Sequence, residues 1–136
     1  MKALNVDQPW AELIIQGIKT IELRKKRTSH RGILAIRATK TVLKARCHNF
    51  NLDPDVLAQG AIIGTVELVG LIEMTLENFH ILRDQHLSGM LVPGTWKWGW
   101  QLENPKYLLE PIPCSALPGM FTPPEEISEQ VSEAKL

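Results

Sequence analysis

The chain of 136 residues has only two cysteines, Cys47 and Cys114, which lie far apart in the sequence. Two isolated cysteines do not make the disulfide framework of a small secreted domain, so we expect buried thiols. Cys47 and His48 have no second ligand pair at zinc spacing, and we therefore expect no metal site. We also expect no cofactor, because the sequence has no phosphate-binding glycine loop, no G-x-S-x-G elbow and no dinucleotide fingerprint.

Long apolar runs are also missing, since no stretch approaches the roughly 20 residues that cross a membrane. Lys2, Asp7 and Glu12 argue against a secretory signal at the N-terminus. We therefore expect no membrane association and a cytoplasmic location. Hydrophobic residues make up 44% of the chain and charged residues 22%, as in ordinary globular proteins. The length suffices for one domain with its own core.

The net charge is zero, but the charges are distributed unevenly. Residues 1–46 hold eleven Lys and Arg against three Asp and Glu, a net charge of +8, which residues 47–136 balance. Five of the basic residues cluster between Arg24 and Arg31, in "RKKRTSHR". This pattern favours a positive surface that attracts phosphates. The alternative is that the two parts of the chain neutralise one another across the fold.

The apolar spacing predicts an α+β fold with five or six strands and two or three short helices. Strands are predicted at residues 1–6, 19–25, 32–40, 61–74, 95–103 and 107–113, and helices at residues 9–17, 41–50 and 75–87. Gly64 and Gly70 lie inside the longest predicted strand and favour closure of the sheet into a small barrel. We predict one domain over residues 1–121, followed by an acidic tail, residues 122–136, that is a loosely attached helix or disordered.

The first helix and the strand after it follow each other directly. Trp10, Leu13 and Gly17 have helical spacing, with Gly17 as the natural end of the helix. In the strand, Glu22 and Arg24 share one face, whereas Lys19 in regular geometry falls on the other. Lys19 must therefore lie in the turn, or its side chain must wrap round, to share a site with Glu22.

Three motifs in this chain resemble the ASCH domain, named for its homology to activating signal cointegrator, in the PUA-like superfamily. They are "QPWA-x-LI-x-x-G-x-KT-x-E-x-R" at residues 8–24, "HRG-x-L-x-I-x-A" at 30–38 and "G-x-x-x-GTVEL" at 60–68. The resemblance covers most of residues 2–121. It implies a PUA-like β-barrel, an architecture that binds RNA, with a positive cleft lined by the G-x-K-x-x-E-x-R stretch.

The resemblance also implies what the cleft does. RNA or a nucleotide-like ligand is the expected partner, and the matching residues place the ligand contacts at Gln8, Trp10, Lys19, Glu22, Arg24, His30 and Arg31. Some relatives are small amidohydrolases that act on acylated cytidine, and others are linked to RNA cleavage. Their active residues include the lysine that matches Lys19, but a threonine stands where this chain has Glu22. A binding module is therefore the first hypothesis.

A small hydrolase is the second hypothesis, with Lys19 as nucleophile or base and Glu22 or Glu67 as the carboxylate. Glu67 is the weaker candidate, because a solvent-facing carboxylate is the commoner case. A third hypothesis is an accessory protein whose tail docks to a partner. We expect a monomer or a weak homodimer.

Arg24 offers a planar fork to phosphate, and Glu22 can accept hydrogen bonds from a base edge or a sugar hydroxyl. The alternative for this pair is a surface ion pair worth about 0–1 kcal/mol. Trp96, Trp98 and Trp100 alternate along one strand face, which indicates either core packing or a platform for bases. We expect Trp98 to be largely buried.

Overall fold

A computed structural model gives the structure of the chain and describes residues 1–89 and 96–134. The six strands are β1 (Lys2–Gln8), β2 (Ile21–Arg24), β3 (Gly32–Val42), β4 (Ala61–Glu73), β5 (Trp98–Pro113) and β6 (Met120–Phe121). The helices are α1 (Trp10–Ile15), α2 (Lys44–Asn49), α3 (Leu76–Ile81), α4 (Arg83–His86) and α5 (Glu125–Ala134). The predicted α+β class is confirmed, although the described residues form five helices rather than two or three. None of these helices has the length and apolarity needed to cross a membrane.

The strands form one sheet in the order β2-β5-β4-β3-β1-β6, in which only β1 and β3 run parallel. The expectation of a closed barrel is wrong, because β2 and β6 stand at opposite ends of the sheet. These two strands are only four and two residues long, and no ladder joins them within the described residues. The sheet nevertheless curls until Arg24 of β2 donates to the backbone oxygen of Asn5 in β1, at 3.1 Å. We call the gap between β2 and the β1–β6 edge the seam.

The curl is concentrated where β4 pairs with β5. Their register shifts between Ile62 and Gly64 and again between Leu68 and Gly70. The two glycines predicted to lie at bends therefore do lie next to irregular pairing. Gly64 is packed closely, since a Cβ atom there would lie 2.4 Å from the carbonyl oxygen of Lys106.

The prediction of two separate strands at residues 95–103 and 107–113 is wrong, because β5 runs unbroken over 16 residues. Between the pairs Glu67–Glu103 and Thr65–Lys106, β5 has one residue more than β4. This bulge holds Asn104, whose φ is 52°. The strand thus continues through Asn104 and Pro105 as a bulge instead of ending there. Thr95, where the first of the two predicted strands begins, lies outside the described residues.

Two further differences concern short elements. The helix predicted over residues 75–87 is divided at Leu82 into α3 and α4. Thr75 caps the start of α3, because its hydroxyl accepts from the Asn78 amide at 3.1 Å. Residues 120–121, for which no strand was predicted, form β6 and pair with β1.

The core lies on both sides of the curled sheet. On one side α1 buries Ala11, Ile14 and Ile15 against a cluster that includes Leu34 and Trp100. On the other side α5 buries Val131, which is 0% exposed, in a second cluster that includes Ile62 and Phe121. The predicted tail thus contains a helix that packs on the sheet, while residues 135–136 lie outside the described residues. The division of the chain at residue 121 stays a prediction.

Candidate ligand-binding cleft

A cleft of about 950 Å³ lies along the seam. One wall comes from the end of β2 and the residues after it, together with two tryptophans: Arg24, Lys25, Lys26, Arg27, Trp96 and Trp100. The other wall comes from β1, the end of β3 and α2, and includes Asn5, Asp7, Thr39, Leu43 and Arg46. Trp10, Lys19 and Glu22 lie between the two walls. The incomplete closure of the sheet therefore creates the space for a site.

The turn after α1 places Lys19 at this cleft. Gly17 has a φ of +79°, which favours glycine, and it ends the helix. The amides of Ile18 and Lys19 then both donate to the carbonyl of Leu13 at 3.0 Å. Lys19 consequently lies in the turn before β2 begins, as required for a site shared with Glu22.

Three charged side chains form a continuous chain of ion pairs, which we call the ion chain: Lys19, Glu22 and Arg24. One oxygen of Glu22 lies 3.7 Å from the Nζ atom of Lys19, and the other accepts from the Nη1 atom of Arg24 at 3.2 Å. Glu22 is 7% exposed and Lys19 is 2% exposed. The carboxylate is thus held between two cations and remains at the surface of the cleft.

Lys19 is the lysine buried at the bottom of the cleft. Its ammonium group donates to the backbone oxygen of His86 and lies 5.0 Å from the centre of the Trp10 ring. Burial lowers the pKa of Lys19, because the charged form loses hydration, while the nearby Glu22 carboxylate acts in the opposite direction. The site therefore contains an amine that gives up its proton more readily than an ordinary lysine.

His86 was not proposed for the site from the sequence. Its backbone oxygen accepts a hydrogen bond from the ammonium group of Lys19. Its Nδ1 atom accepts from the Ser88 amide at 2.9 Å and its Nε2 atom donates to the Phe79 carbonyl at 2.7 Å, so the ring is neutral. The ring is 0% exposed and stacks on Phe79 at 4.3 Å. No pattern in the sequence separates this histidine from the exposed His80. Among the described residues, no group of three potential metal ligands is found.

The exposed continuation of the ion chain is residues 25–27, which we call the basic segment. The Nζ atom of Lys25 lies 5.8 Å from the Trp96 ring centre, and the guanidinium of Arg27 lies 4.9 Å from that of Trp98. Trp100 donates its indole N–H to the backbone oxygen of Lys26 at 3.1 Å. The tryptophan stripe therefore holds the basic segment in place.

The expected burial of Trp98 is not found. Trp100 is the deeply buried member of the stripe, at 4% exposed, whereas Trp98 and Trp96 are half-buried. In the β2–β5 pairing, Trp100 lies opposite Glu22 and Trp98 lies opposite Arg24, at the end of β2. The end of the strand leaves Trp98 partly open, and it packs against the basic segment.

The structure brings four of the predicted site residues together at the cleft: Trp10, Lys19, Glu22 and Arg24. Gln8 lies outside the lining and is fully buried, where its side chain donates to the Ala58 carbonyl and accepts from the Glu12 amide, each at 3.0 Å. Gln8 therefore links the start of α1 to the loop that contains Ala58.

The remaining predicted residues also lie outside the cleft lining: His30, Arg31 and Glu67. His30 bonds to the Ile33 carbonyl at 2.9 Å and Arg31 donates to the Thr28 carbonyl at 2.9 Å, so both stabilise their own turn. Glu67 accepts from the Asn104 side chain at 3.4 Å. Of the two predicted carboxylates, Glu22 therefore shares the cleft with Lys19 and Glu67 does not.

Several lining residues were not proposed from the sequence, among them Asn5 and Arg46. Both come from the wall opposite the basic segment. In total six basic side chains line the cleft, namely Lys19, Arg24, Lys25, Lys26, Arg27 and Arg46, against the acidic Asp7 and Glu22. The excess of positive charge makes the cleft attractive to polyanions.

The sequence and the fold were compared with those of known proteins. A sequence profile of the ASCH domain matches residues 4–112. Human activating signal cointegrator 1 is 56% identical over 36 residues, which are 26% of this chain and only 6% of that protein. The crystal structure of ASCH from Zymomonas mobilis superposes with a TM-score of 0.72 at 14% identity, covering 99% of this chain and 95% of that chain.

A point mutant of the same Zymomonas mobilis protein superposes with a TM-score of 0.70 at 16% identity, covering 99% of this chain and 98% of that chain. At such low identity, structural likeness establishes the fold alone. The family follows from the sequence profile, which spans most of the curled sheet and the residues around the cleft. The chain belongs to the ASCH domain family.

Proposed function

We propose that this chain is an RNA-binding ASCH domain whose ligand occupies the cleft along the seam. The observation that carries the proposal is the continuity of charge along one wall. The buried ion chain ends at Arg24, and the exposed Lys25, Lys26 and Arg27 follow directly along the same cleft. A polyanion with both a recognised base and a repeating phosphate backbone fits such an arrangement.

In this proposal each part of the cleft has its own task. The ammonium and guanidinium groups of the basic segment contact phosphate oxygens and set the position of the strand. Glu22 accepts hydrogen bonds from a base edge or a sugar hydroxyl, because its oxygens face both the cleft and the two cations. Trp10 and Trp96 are half-buried and offer ring faces on which a base can stack.

Removal of the basic segment tests the proposal. In a triple variant, Lys25→Ala, Lys26→Ala and Arg27→Ala, we expect tenfold or greater loss of affinity for a fluorescein-labelled random-sequence RNA hexamer. The slope of log K against log salt should fall by about 2, since each lost phosphate contact on a single strand removes about 0.7. Fluorescence anisotropy at 50–200 mM salt measures both quantities.

A matched control removes the same charge elsewhere. Lys40, Lys44 and Lys106 are exposed and lie outside the cleft lining, so their joint replacement by alanine should leave the salt slope close to that of the wild type. An equal loss in both triple variants would show that net charge, not the cleft, attracts RNA. Failure of the wild-type protein to bind the hexamer at low salt would refute the proposal.

A second candidate function, a small hydrolase, is favoured by the burial of Lys19. A lysine with a lowered pKa beside a carboxylate is a suitable nucleophile or base. The same ammonium group donates to the His86 carbonyl and faces Glu22, which are contacts of the charged form. We therefore place RNA binding first.

Lys19→Arg separates the two candidates, because a guanidinium keeps its charge but does not give up its proton. We expect no turnover of acylated cytidine or of the RNA hexamer by the wild type, and retention of most RNA affinity in the variant. Wild-type hydrolysis that disappears in Lys19→Arg while binding persists would favour the hydrolase instead. A thermal melt of the variant checks that the buried arginine is accommodated.

A further inference from the structure

Arg46 lies on the wall of the cleft that faces the basic segment. It belongs to α2, which is anchored by the fully buried Cys47 and by the edge-to-face contact of Phe50 with Trp10, at 5.8 Å. The guanidinium extends from this helix to Gly89, where a Cβ atom would lie 3.3 Å from its Nη1 atom. Gly89 also lines the cleft, so the guanidinium of Arg46 lies at the cleft lining.

Cations therefore stand on both walls of the seam. The basic segment follows β2, at one end of the sheet, and Arg46 follows β3, which pairs with β1 toward the other end. The ion chain and Trp10 lie between them. A base and sugar seated over Glu22 would have one cationic wall on each side.

With cations on both walls, a free mononucleotide and a nucleotide inside an RNA strand would make different numbers of phosphate contacts. A free nucleoside monophosphate has one phosphate and satisfies one wall only. A nucleotide inside a strand has a phosphate on its 5′ side and another on its 3′ side, so that both walls can be satisfied together. A guanidinium suits such a contact because its planar fork can bind two phosphate oxygens at once.

We propose that Arg46 is a second phosphate-binding residue and that the cleft takes an internal nucleotide of an RNA strand, held by phosphates on both sides. This inference rests on the proposed function and specifies the ligand class of the same site. It assigns the 5′ and 3′ phosphates to opposite walls of the seam, without fixing which phosphate faces which wall.

Competition against the labelled RNA hexamer tests the inference. The competitors are equimolar mixtures of the four ribonucleoside 5′-monophosphates, 3′-monophosphates and 3′,5′-bisphosphates. For the wild type we expect the bisphosphates to compete at least tenfold better than either monophosphate mixture. Arg46→Ala should weaken the bisphosphates about tenfold, as expected for one lost charge-assisted contact, and should leave unchanged the monophosphate mixture whose phosphate contacts the basic segment.

The control is Lys44→Ala, which removes an exposed charge two residues earlier on α2, outside the cleft lining. This variant should keep the preference for the bisphosphates, and circular dichroism should show wild-type folding for both variants. An unchanged bisphosphate affinity in Arg46→Ala, or an equal loss for all three mixtures, would overturn the inference while RNA binding stands. Failure of the wild type to bind the hexamer would instead refute the proposed function itself.

Discussion

Glu22 shows how a single residue can define the character of the site. Its carboxylate separates the buried Lys19 from the half-exposed Arg24, so that neither cation faces the other directly. Removal of one partner from a buried charged group is costly, because the remaining charge loses its compensation. A threonine at this position would not compensate Lys19 in this way. Glu22 therefore favours the charged form of Lys19 against the effect of burial, which suits binding.

His86 makes the stability of the fold depend on pH. Burial lowers the pKa of His86, and the nearby charges of Lys19 and Arg83 act in the same direction. The unfolded state therefore binds a proton near pH 6.5, the ordinary value for histidine, whereas the folded state does not. As the pH falls from about 6.5 toward the pKa of the folded state, the free energy of unfolding should decrease, by up to about 1.4 kcal/mol per pH unit.

Urea unfolding between pH 7.5 and 5 measures this effect. His86→Gln should be less stable at pH 7.5 but should lose less stability on acidification than the wild type. His80→Gln is the matched control, because His80 is exposed on the preceding helix and should leave the pH dependence unchanged. A wild-type slope that persists in His86→Gln would assign the acid sensitivity to other groups.

Among single residues, the resemblance of residues 8–24 to the ASCH motif predicted that Lys19, Glu22 and Arg24 share one cleft, and the three lie within six positions of one another along one turn and strand. The motif did not predict that Asn5 and Arg46 also line the cleft. These residues reach the cleft only because the sheet curls and brings β1 and α2 opposite β2. The local periodicity of apolar residues does not indicate how strongly a sheet curves.

At the scale of elements, the pairing of β4 with β5 depends more on Gly64 than on Gly70. A Cβ atom on Gly64 would lie 2.4 Å from the Lys106 carbonyl oxygen and 2.8 Å from the Ile15 side chain. Gly64→Ala must therefore displace the backbone of β5 or the helix α1, and we expect a loss of about 1–3 kcal/mol in the free energy of unfolding.

Gly70→Ala, on the same strand, is the comparison for this prediction. There the nearest atom is the side-chain oxygen of Gln101, at 2.5 Å, which can rotate away. We expect a smaller loss of unfolding free energy than in Gly64→Ala, because rotation of the Gln101 side chain relieves the contact without moving the backbone. Equal destabilisation of the two variants, measured by denaturant unfolding, would show that the close approach at Gly64 is not the cause.

The periodicity of apolar residues was sufficient to predict some helices and strands but not others. Helix α1 and strands β2, β3 and β4 were predicted because each has one clear apolar face and a glycine or proline near its ends. Strand β5 was predicted in two pieces, since Asn104 and Pro105 are residues typical of turns. A bulge can hold the same residues without ending the strand, and only the partner strand decides between the two.

In the whole molecule, the uneven charge of the sequence becomes an uneven surface. Both walls of the cleft draw mainly on the first 46 residues, which carry the net charge of +8, and the helix α5 at the other end of the chain is acidic. Six of the eleven basic residues in residues 1–46 thus line the cleft along the seam. A cytoplasmic location and a monomeric or weakly dimeric state stay predictions.

The pairing of cations with tryptophans has a spectroscopic consequence. The chain has four tryptophans, and each lies within 6 Å of a cation of the ion chain or the basic segment: Trp10 with Lys19, Trp96 with Lys25, Trp98 with Arg27 and Trp100 with Arg24. The ultraviolet emission of the protein therefore originates almost entirely beside the cleft. A ligand that draws these cations away alters the surroundings of the emitting rings, so the unlabelled protein carries its own optical reporter of occupancy.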